Sequence, residues 1–296
     1  MKSLIKIQII SILFVFMAMK LEAQNKIEID PNYGEYKTIS SKALGKEVPV
    51  LIFLPSDYKT SSKQYSVVYF LHGYNSEEIS EKGLRKMYNP QTKIQEAANM
   101  YNVIIACPMQ GNCFYLDAPL KPEQKNATFT GTELTTWMDK NYRTIDKREG
   151  RIIAGFSMGG YGAISQICRF PDVFSAALSR GGALNLAFAI EELYWDEVGL
   201  DLESILGDYW SKDKKNYFQN NCLNLINHIR ERKDVGIVIE VGKEDFLYST
   251  NLKFHKRLEE LDMKHVYAEF PEGHLLDSNT FMSLLSHLQY FVKTTK

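Results

Sequence analysis

An excess of charge of either sign is missing from this sequence: 35 Lys and Arg face 36 Asp and Glu, a formal net charge of −1. That balance gives no electrostatic reason to expect nucleic acid or an anionic membrane surface as a partner. Cysteine is scarce as well. Cys107, Cys113, Cys168 and Cys222 form no Cys-X-X-Cys, and no His-Glu-X-X-His occurs, so no structural metal is expected. Internal repeats and low-complexity linkers are lacking too. Six histidines are the whole supply of imidazole for any acid–base chemistry, which leaves few candidates to weigh.

What is present is a 296-residue chain, 45% hydrophobic and 24% charged, long enough for a large core and commonly one domain at this length. Its beginning differs in kind. Lys2 and Lys6 precede an apolar run from Ile9 to Met19 broken only by Ser11, and Leu21-Glu22-Ala23-Gln24 follows. A positive start, an apolar stretch short of the roughly 20 residues of a spanning helix, and a small residue at the exit read as an export signal. Residues 1–23 are expected to be removed after Ala23, leaving 24–296 as one exported domain, periplasmic or extracellular, without stable membrane insertion. The competing reading is an N-terminal membrane anchor; no cysteine follows the run to carry a lipid. In an exported chain cysteines can pair, and Cys107 and Cys113 are close enough to bridge one loop. Cys168 reads as a small buried hydrophobe.

Further along, Glu35 to Ala43 and Val48 to Leu54 read as strands joined by a turn at Gly45. Tyr65 to Leu71, Asn102 to Cys107, Phe174 to Ser179, Gly236 to Val241 and His265 to Phe270 have the short apolar pattern of strands in a covered parallel sheet. Helical spacing falls between them, at Lys93 to Met100, Thr130 to Tyr142, Thr250 to Leu261 and Ser278 to Val292. For the second of these, Thr130 with Glu133 three residues on suggests a capping box. Leu186 to Lys233 breaks the alternation with charges, aromatics and helical spacing, and is expected to be a lid-like helical insertion. The alternation itself predicts a three-layer α/β sandwich, a mostly parallel sheet with helices on both faces.

The chain is organised around Arg151 to Ala163, where an apolar strand runs into Gly155-Phe156-Ser157-Met158-Gly159 and then a helix reaching about Arg169. Alone, Gly-X-Ser-X-Gly also describes a glycine-rich turn with a capping serine. Between a strand and a helix it matches the nucleophile elbow of α/β-hydrolases, in which a tight turn lifts the serine hydroxyl above the sheet at a helix N-terminus. A serine needs a base, and the base needs an orienting carboxylate. His228, His255 and His287 fall within expected helices, His265 opens a strand, and His72 ends one. His274, in Pro271-Glu272-Gly273-His274, hangs past the last strand and is the candidate base. Gly242-Lys243-Glu244-Asp245-Phe246 follows the preceding strand, and Asp245 is chosen over Glu244 as lying further along the loop. The order Ser157, Asp245, His274 is the hydrolase order. Backbone N–H groups for an oxyanion would come from Met158 and, past His72-Gly73, from Tyr74.

Leu71-His72-Gly73-Tyr74, Gly155 to Ala163, Gly242 to Tyr248 and Gly273-His274 together resemble the esterase D branch of the α/β-hydrolases, from about residue 36 to the C-terminus. The branch includes tributyrin, acetyl-xylan and feruloyl esterases, S-formylglutathione hydrolases and mycolyltransferases. The resemblance implies Ser157 as nucleophile, Asp245 as acid, His274 as base, the Tyr74 and Met158 amides as oxyanion hole, and no cofactor. It also sets Phe114 and Tyr115, within Phe114-Tyr115-Leu116-Asp117, beside the acyl pocket. That segment often carries Trp where Phe114 stands, and Leu275-Leu276-Asp277 replaces a frequent Trp pair after His274; both departures bear on pocket shape, with Leu275 as a further pocket candidate. The implied activity is hydrolysis of short-chain or carbohydrate-linked acyl esters, with a small-molecule or polysaccharide ester as partner. Acyl transfer by the same residues and a non-catalytic carbohydrate-binding homologue are the rivals. A serine peptidase of this fold usually carries a large extra domain for which no stretch is long enough.

Overall fold

The computed structural model describes residues 30–75, 77–193, 202–210 and 213–290. The expected export signal lies outside these residues, as do parts of the 186–233 insertion. Eight strands form one sheet: β1 Glu35–Ser41, β2 Lys46–Phe53, β3 Val67–Leu71, β4 Ile104–Pro108, β5 Arg151–Phe156, β6 Ala176–Arg180, β7 Gly236–Gly242 and β8 Val266–Phe270. Their order across the sheet is β1-β2-β4-β3-β5-β6-β7-β8. β1 pairs antiparallel with β2, and β2 antiparallel with β4; every later pair is parallel. Strands β3 to β7 are buried on both faces, apart from the two ends of β5, because helices cover both.

The helices are α1 Glu81–Met87, α2 Ile94–Tyr101, α3 Thr135–Asn141, α4 Met158–Arg169, α5 Leu186–Glu191, α6 Lys215–Asn220, α7 Tyr248–Glu260 and α8 Thr280–Ser286, with shorter turns between. On one face Leu51, Phe70, Ile105, Ala154 and Leu178 of the sheet pack with Leu84 of α1, Ala97 of α2 and Phe281 of α8. On the other, Ile52, Tyr69, Ile153 and Ile239 meet Met138 of α3, Ile164 of α4 and Phe254 of α7. The three-layer α/β sandwich expected from the sequence is therefore the fold.

Two local expectations need correction, and one helix was not expected at all. Thr130 does not cap a helix: it lies inside a π-helical turn, Phe129–Leu134, that runs straight into α3. Its hydroxyl donates to Gln110 Oε1, at 2.8 Å, and to the Asn126 carbonyl. Glu133 instead reaches across to the β1–β2 turn, where Oε1 accepts the Lys42 and Ala43 amides at 3.1 and 3.0 Å and Oε2 accepts the Ser41 hydroxyl. Cys107 and Cys113 do not pair. All four cysteines are free and buried, and these two belong to the cores on opposite faces of the sheet, so no loop brings their thiols together. Helix α1 is unforeseen; Ser80 caps it by accepting the Gly83 amide at 3.2 Å, and its one deeply buried apolar side chain, Leu84, leaves too short a pattern to read.

Candidate active site

The site assembles at the C-terminal ends of β3, β5, β6, β7 and β8. Ser157 follows β5 and precedes α4, with φ 57° and ψ −117°, a conformation L-residues avoid. Backbone packing on either side imposes it. A Cβ on Gly155 would stand 2.2 Å from the Gly159 carbonyl oxygen, and one on Gly159 would stand 1.9 Å from that of Leu71. Strand and helix thus touch through backbone where no side chain fits, and the turn between them has nowhere to relax. The Ser157 N–H donates to the Arg180 carbonyl at 2.9 Å, tying the turn to the end of β6.

Past β7, Asp245 is buried with both carboxylate oxygens engaged. Oδ1 accepts the Leu247 amide at 2.7 Å, and Oδ2 stands 2.8 Å from His274 Nδ1. Glu244, beside it, is exposed. With Oδ2 as acceptor, Nδ1 carries the proton, so a neutral His274 has Nε2 as its basic nitrogen. The pair lies against the end of β6: a Cβ on Gly181 would be 2.7 Å from Asp245 Oδ2 and 3.2 Å from His274 Nδ1. Because Arg180, next to Gly181, holds the Ser157 amide, serine, carboxylate and imidazole share one strand end.

Two residues the sequence did not single out hold the imidazole. Phe156, just before the serine, places its ring centroid 4.6 Å from that of His274, and Phe246, just after Asp245, places its own at 4.4 Å. Both adjoin predicted site residues, which is the one signal that could have found them. Beneath lies a buried ionic cluster, also unforeseen. Glu240 of β7 meets Arg180 at 3.3 Å, accepts the Ser283 hydroxyl at 2.6 Å and stands 3.0 Å from His287 Nε2. It fastens the end of α8 to the strands that carry the site.

The loop after β3 closes the other side. A Cβ on Gly73 would be 3.2 Å from the Ser157 Cβ, so His72-Gly73-Tyr74 lies against the serine. Met158 is buried at the first turn of α4, and Tyr74 is half-buried. His72 is fully buried, and desolvation lowers its pKa to about 4, so it is neutral near pH 7. The other histidines are placed elsewhere: His255 Nδ1 and His265 Nε2 are 2.7 Å apart, His287 joins Glu240, and His228 is exposed on a 3₁₀ turn.

Of the expected pocket residues, Leu275 is 43% exposed beside His274, whereas Phe114 and Tyr115 are 1% and 0% exposed and offer a substrate no open surface. Both take left-handed backbone, φ 50° and 53°, which turns the rings inward toward α4. A depression of about 370 Å³, lined by Asn185, Phe188, Glu191, Phe218, Asn221 and Lys253 among others, lies between the insertion and α7 and includes none of Ser157, Asp245 or His274. Among the described residues no cluster of His, Cys, Asp and Glu could hold a metal, and no helix is long and apolar enough to cross a membrane.

Comparison with known proteins agrees with this architecture. A family model described as "Putative esterase" matches residues 41–273, well over half of the chain. Esterase MT1326 of Mycobacterium tuberculosis (strain CDC 1551 / Oshkosh) is 25% identical over 285 residues, covering 88% of this chain and 59% of that protein. The chain thus spans about three-fifths of the length of that relative. An acetyl esterase of Caldicellulosiruptor saccharolyticus is 27% identical over 255 residues, covering 79% of this chain and 89% of that one. The solved structure of fluorophosphonate-binding serine hydrolase F from Staphylococcus aureus matches with a TM-score of 0.72 at 21% identity, over 88% of this chain and 99% of that one, a likeness of fold. With a strained serine at a strand–helix turn, a buried carboxylate paired with a histidine at the same strand end, and a family match over most of the chain, the chain belongs to this esterase family, on the α/β-hydrolase fold.

Proposed function

We propose that the chain is an exported serine carboxylesterase that hydrolyses short-chain or carbohydrate-linked acyl esters through Ser157, His274 and Asp245. The observation that carries this reading is the 2.8 Å contact between Asp245 Oδ2 and His274 Nδ1 at the strand end that also holds the Ser157 amide. In this mechanism His274 Nε2 takes the proton from Ser157 as Oγ attacks the ester carbonyl carbon. The tetrahedral oxyanion is held by the Met158 and Tyr74 N–H groups, each such donor stabilising it by roughly 3–4 kcal/mol. Collapse breaks the bond to the alkoxide, which leaves with the proton from His274. Water then attacks the acyl-enzyme with His274 again as base, releasing the acid and restoring the serine. Asp245 stays ionised throughout and holds the imidazole tautomer.

Short acyl groups fit the acetyl esterase relative, and export fits the charged and apolar pattern of residues 2–24. Within 24–296, the segment 186–233 is read as a lid-like insertion on one catalytic domain. The test is hydrolysis of p-nitrophenyl acetate, butyrate and octanoate and of a feruloyl ester by the mature chain, beside Ser157→Ala. Turnover that falls at least about a thousandfold in the variant is expected; turnover that survives the substitution removes Ser157 from the mechanism.

A further inference from the structure

We propose that Tyr115 is a positioning residue that aims the oxyanion donor of Tyr74 and sets its distance from the one on Met158; the inference rests on the serine-esterase reading above. Phe114 and Tyr115 are consecutive non-glycine residues in the left-handed region, a pairing that persists only where its surroundings hold it. The result is a fully buried tyrosine wedged between the oxyanion loop and the nucleophile helix. On the loop side its hydroxyl donates to the His72 carbonyl at 2.9 Å, and its ring meets the His72 imidazole edge-on at 5.7 Å. On the helix side a Cβ on Gly162 would stand 2.5 Å from Tyr115 Cδ2, so the ring lies directly against α4. Gln166 Nε2 of the same helix reaches the Tyr115 carbonyl at 3.3 Å.

The two peptide planes of the loop are then fixed in turn. Tyr115 anchors the carbonyl of the His72–Gly73 peptide. The carbonyl of the next peptide, Gly73–Tyr74, is met by His72 Nδ1 at 2.8 Å and by Asn75 Nδ2 at 3.0 Å. Asn75 Nδ2 also stands 3.0 Å from His72 Nδ1, so imidazole, amide and carbonyl are held together as one group. In a trans peptide the N–H points opposite the C=O. Anchoring the Gly73 oxygen therefore directs the Tyr74 N–H the other way, and Tyr115, holding both the His72 carbonyl and its ring, steadies the group that does the anchoring. The same ring bears on the helix whose first N–H, that of Met158, is the second donor. One side chain thus gauges the gap between the two.

Tyr115→Phe removes the hydroxyl and keeps the ring. With p-nitrophenyl butyrate, kcat is expected to fall about tenfold, with KM changed by less than twofold, as for an interaction used in the transition state. Affinity for a trifluoromethyl ketone, which forms the oxyanion on the enzyme, is expected to weaken by a similar factor. The shape of the pH profile should not change. Values of kcat and analogue affinity within twofold of wild type would overturn the proposal, as would a rise in KM at unchanged kcat. Should Tyr115→Phe not fold, Gly162→Ala presses the ring from the helix side and must give the same kcat-only loss, or the proposal fails. Wild-type chain without Ser157-dependent ester turnover would instead bring down the esterase reading itself, so the two failures are distinct.

Discussion

Ser157 and His274 both stand just past the end of a parallel strand, yet the strands differ. β5 runs between β3 and β6 and is buried from Ile152 to Gly155; β8 is the sheet edge, partly or fully exposed at every position. The serine is held by backbone meeting backbone, at Gly155, Gly159 and the Leu71 carbonyl. The histidine is held by side chains, the Asp245 carboxylate on Nδ1 and the rings of Phe156 and Phe246 beside the imidazole. In this reading the atom that attacks sits on a mount with no slack, while the group that shuttles a proton sits on an open loop trimmed by its neighbours. The nucleophile side should then be intolerant of added atoms and of added charge, and the histidine side more forgiving.

The largest effect is expected at Gly159. An alanine there would put Cβ 1.9 Å from the Leu71 carbonyl oxygen and 2.8 Å from that of His72, both backbone atoms without a rotamer to escape into. Helix α4 must back away from β3, carrying the Met158 amide out of register with Tyr74. Gly159→Ala should destabilise at or beyond the upper end of the roughly 1–3 kcal/mol seen for overpacking, and cut ester turnover about a hundredfold or more. Urea midpoints and steady-state rates would show both. Near-normal stability and turnover would mean that the strand–helix contact yields, and the contrast with the histidine side would collapse.

A smaller effect comes from charge on the same side. His72 has a folded pKa of about 4, lowered by burial, against about 6.5 in an unfolded chain. Its folded pKa is depressed, so its contribution is fully present above pH 6.5 and is lost as pH falls from there through 4, because only the unfolded state takes up the proton. Stability should drop by about 2 kcal/mol between neutral pH and pH 5 from this group alone. Carboxylates titrate lower in that range, so the decisive reading is the His72 ring proton in NMR. An imidazole titrating near 6.5 in the folded protein would show that the oxyanion side accommodates a charge after all.

The sequence and the structure meet unevenly, and along the same divide. The layer order and the loops bearing Ser157, Asp245 and His274 were legible because each is local: apolar strands, a glycine motif, a carboxylate and a histidine just past strand ends. The choice of Asp245 over Glu244 agrees with the burial of one and the exposure of the other. What could not be read was long-range or conformational. Nothing local marks Phe114 and Tyr115 as left-handed, since the region is usually signalled by glycine; the resemblance sets them beside the acyl pocket, and the structure buries both. Glu133 has a capping-box neighbour in Thr130, but its partners lie some 90 residues away at the β1–β2 turn. Cys107 and Cys113 are near in sequence and separated by the thickness of the sheet.

The smallest effect is expected at Gly273, the residue before His274. Its surroundings do not require a glycine. The nearest atom to a Cβ there is the Glu244 carbonyl oxygen at 3.6 Å, an ordinary contact, and the residue does not take the left-handed backbone seen at Gly181. Gly273→Ala should therefore change stability by no more than about 0.5 kcal/mol and turnover by less than about twofold, since the Asp245 bond and the two phenylalanine rings remain to hold the imidazole. The contrast with Gly159→Ala, a single methyl in each case, isolates backbone contact as the cause. If Gly273→Ala lost activity tenfold at unchanged stability, the glycine would be needed for a motion of the 271–276 loop during the cycle. The histidine side would then be exacting in dynamics where the nucleophile side is exacting in packing.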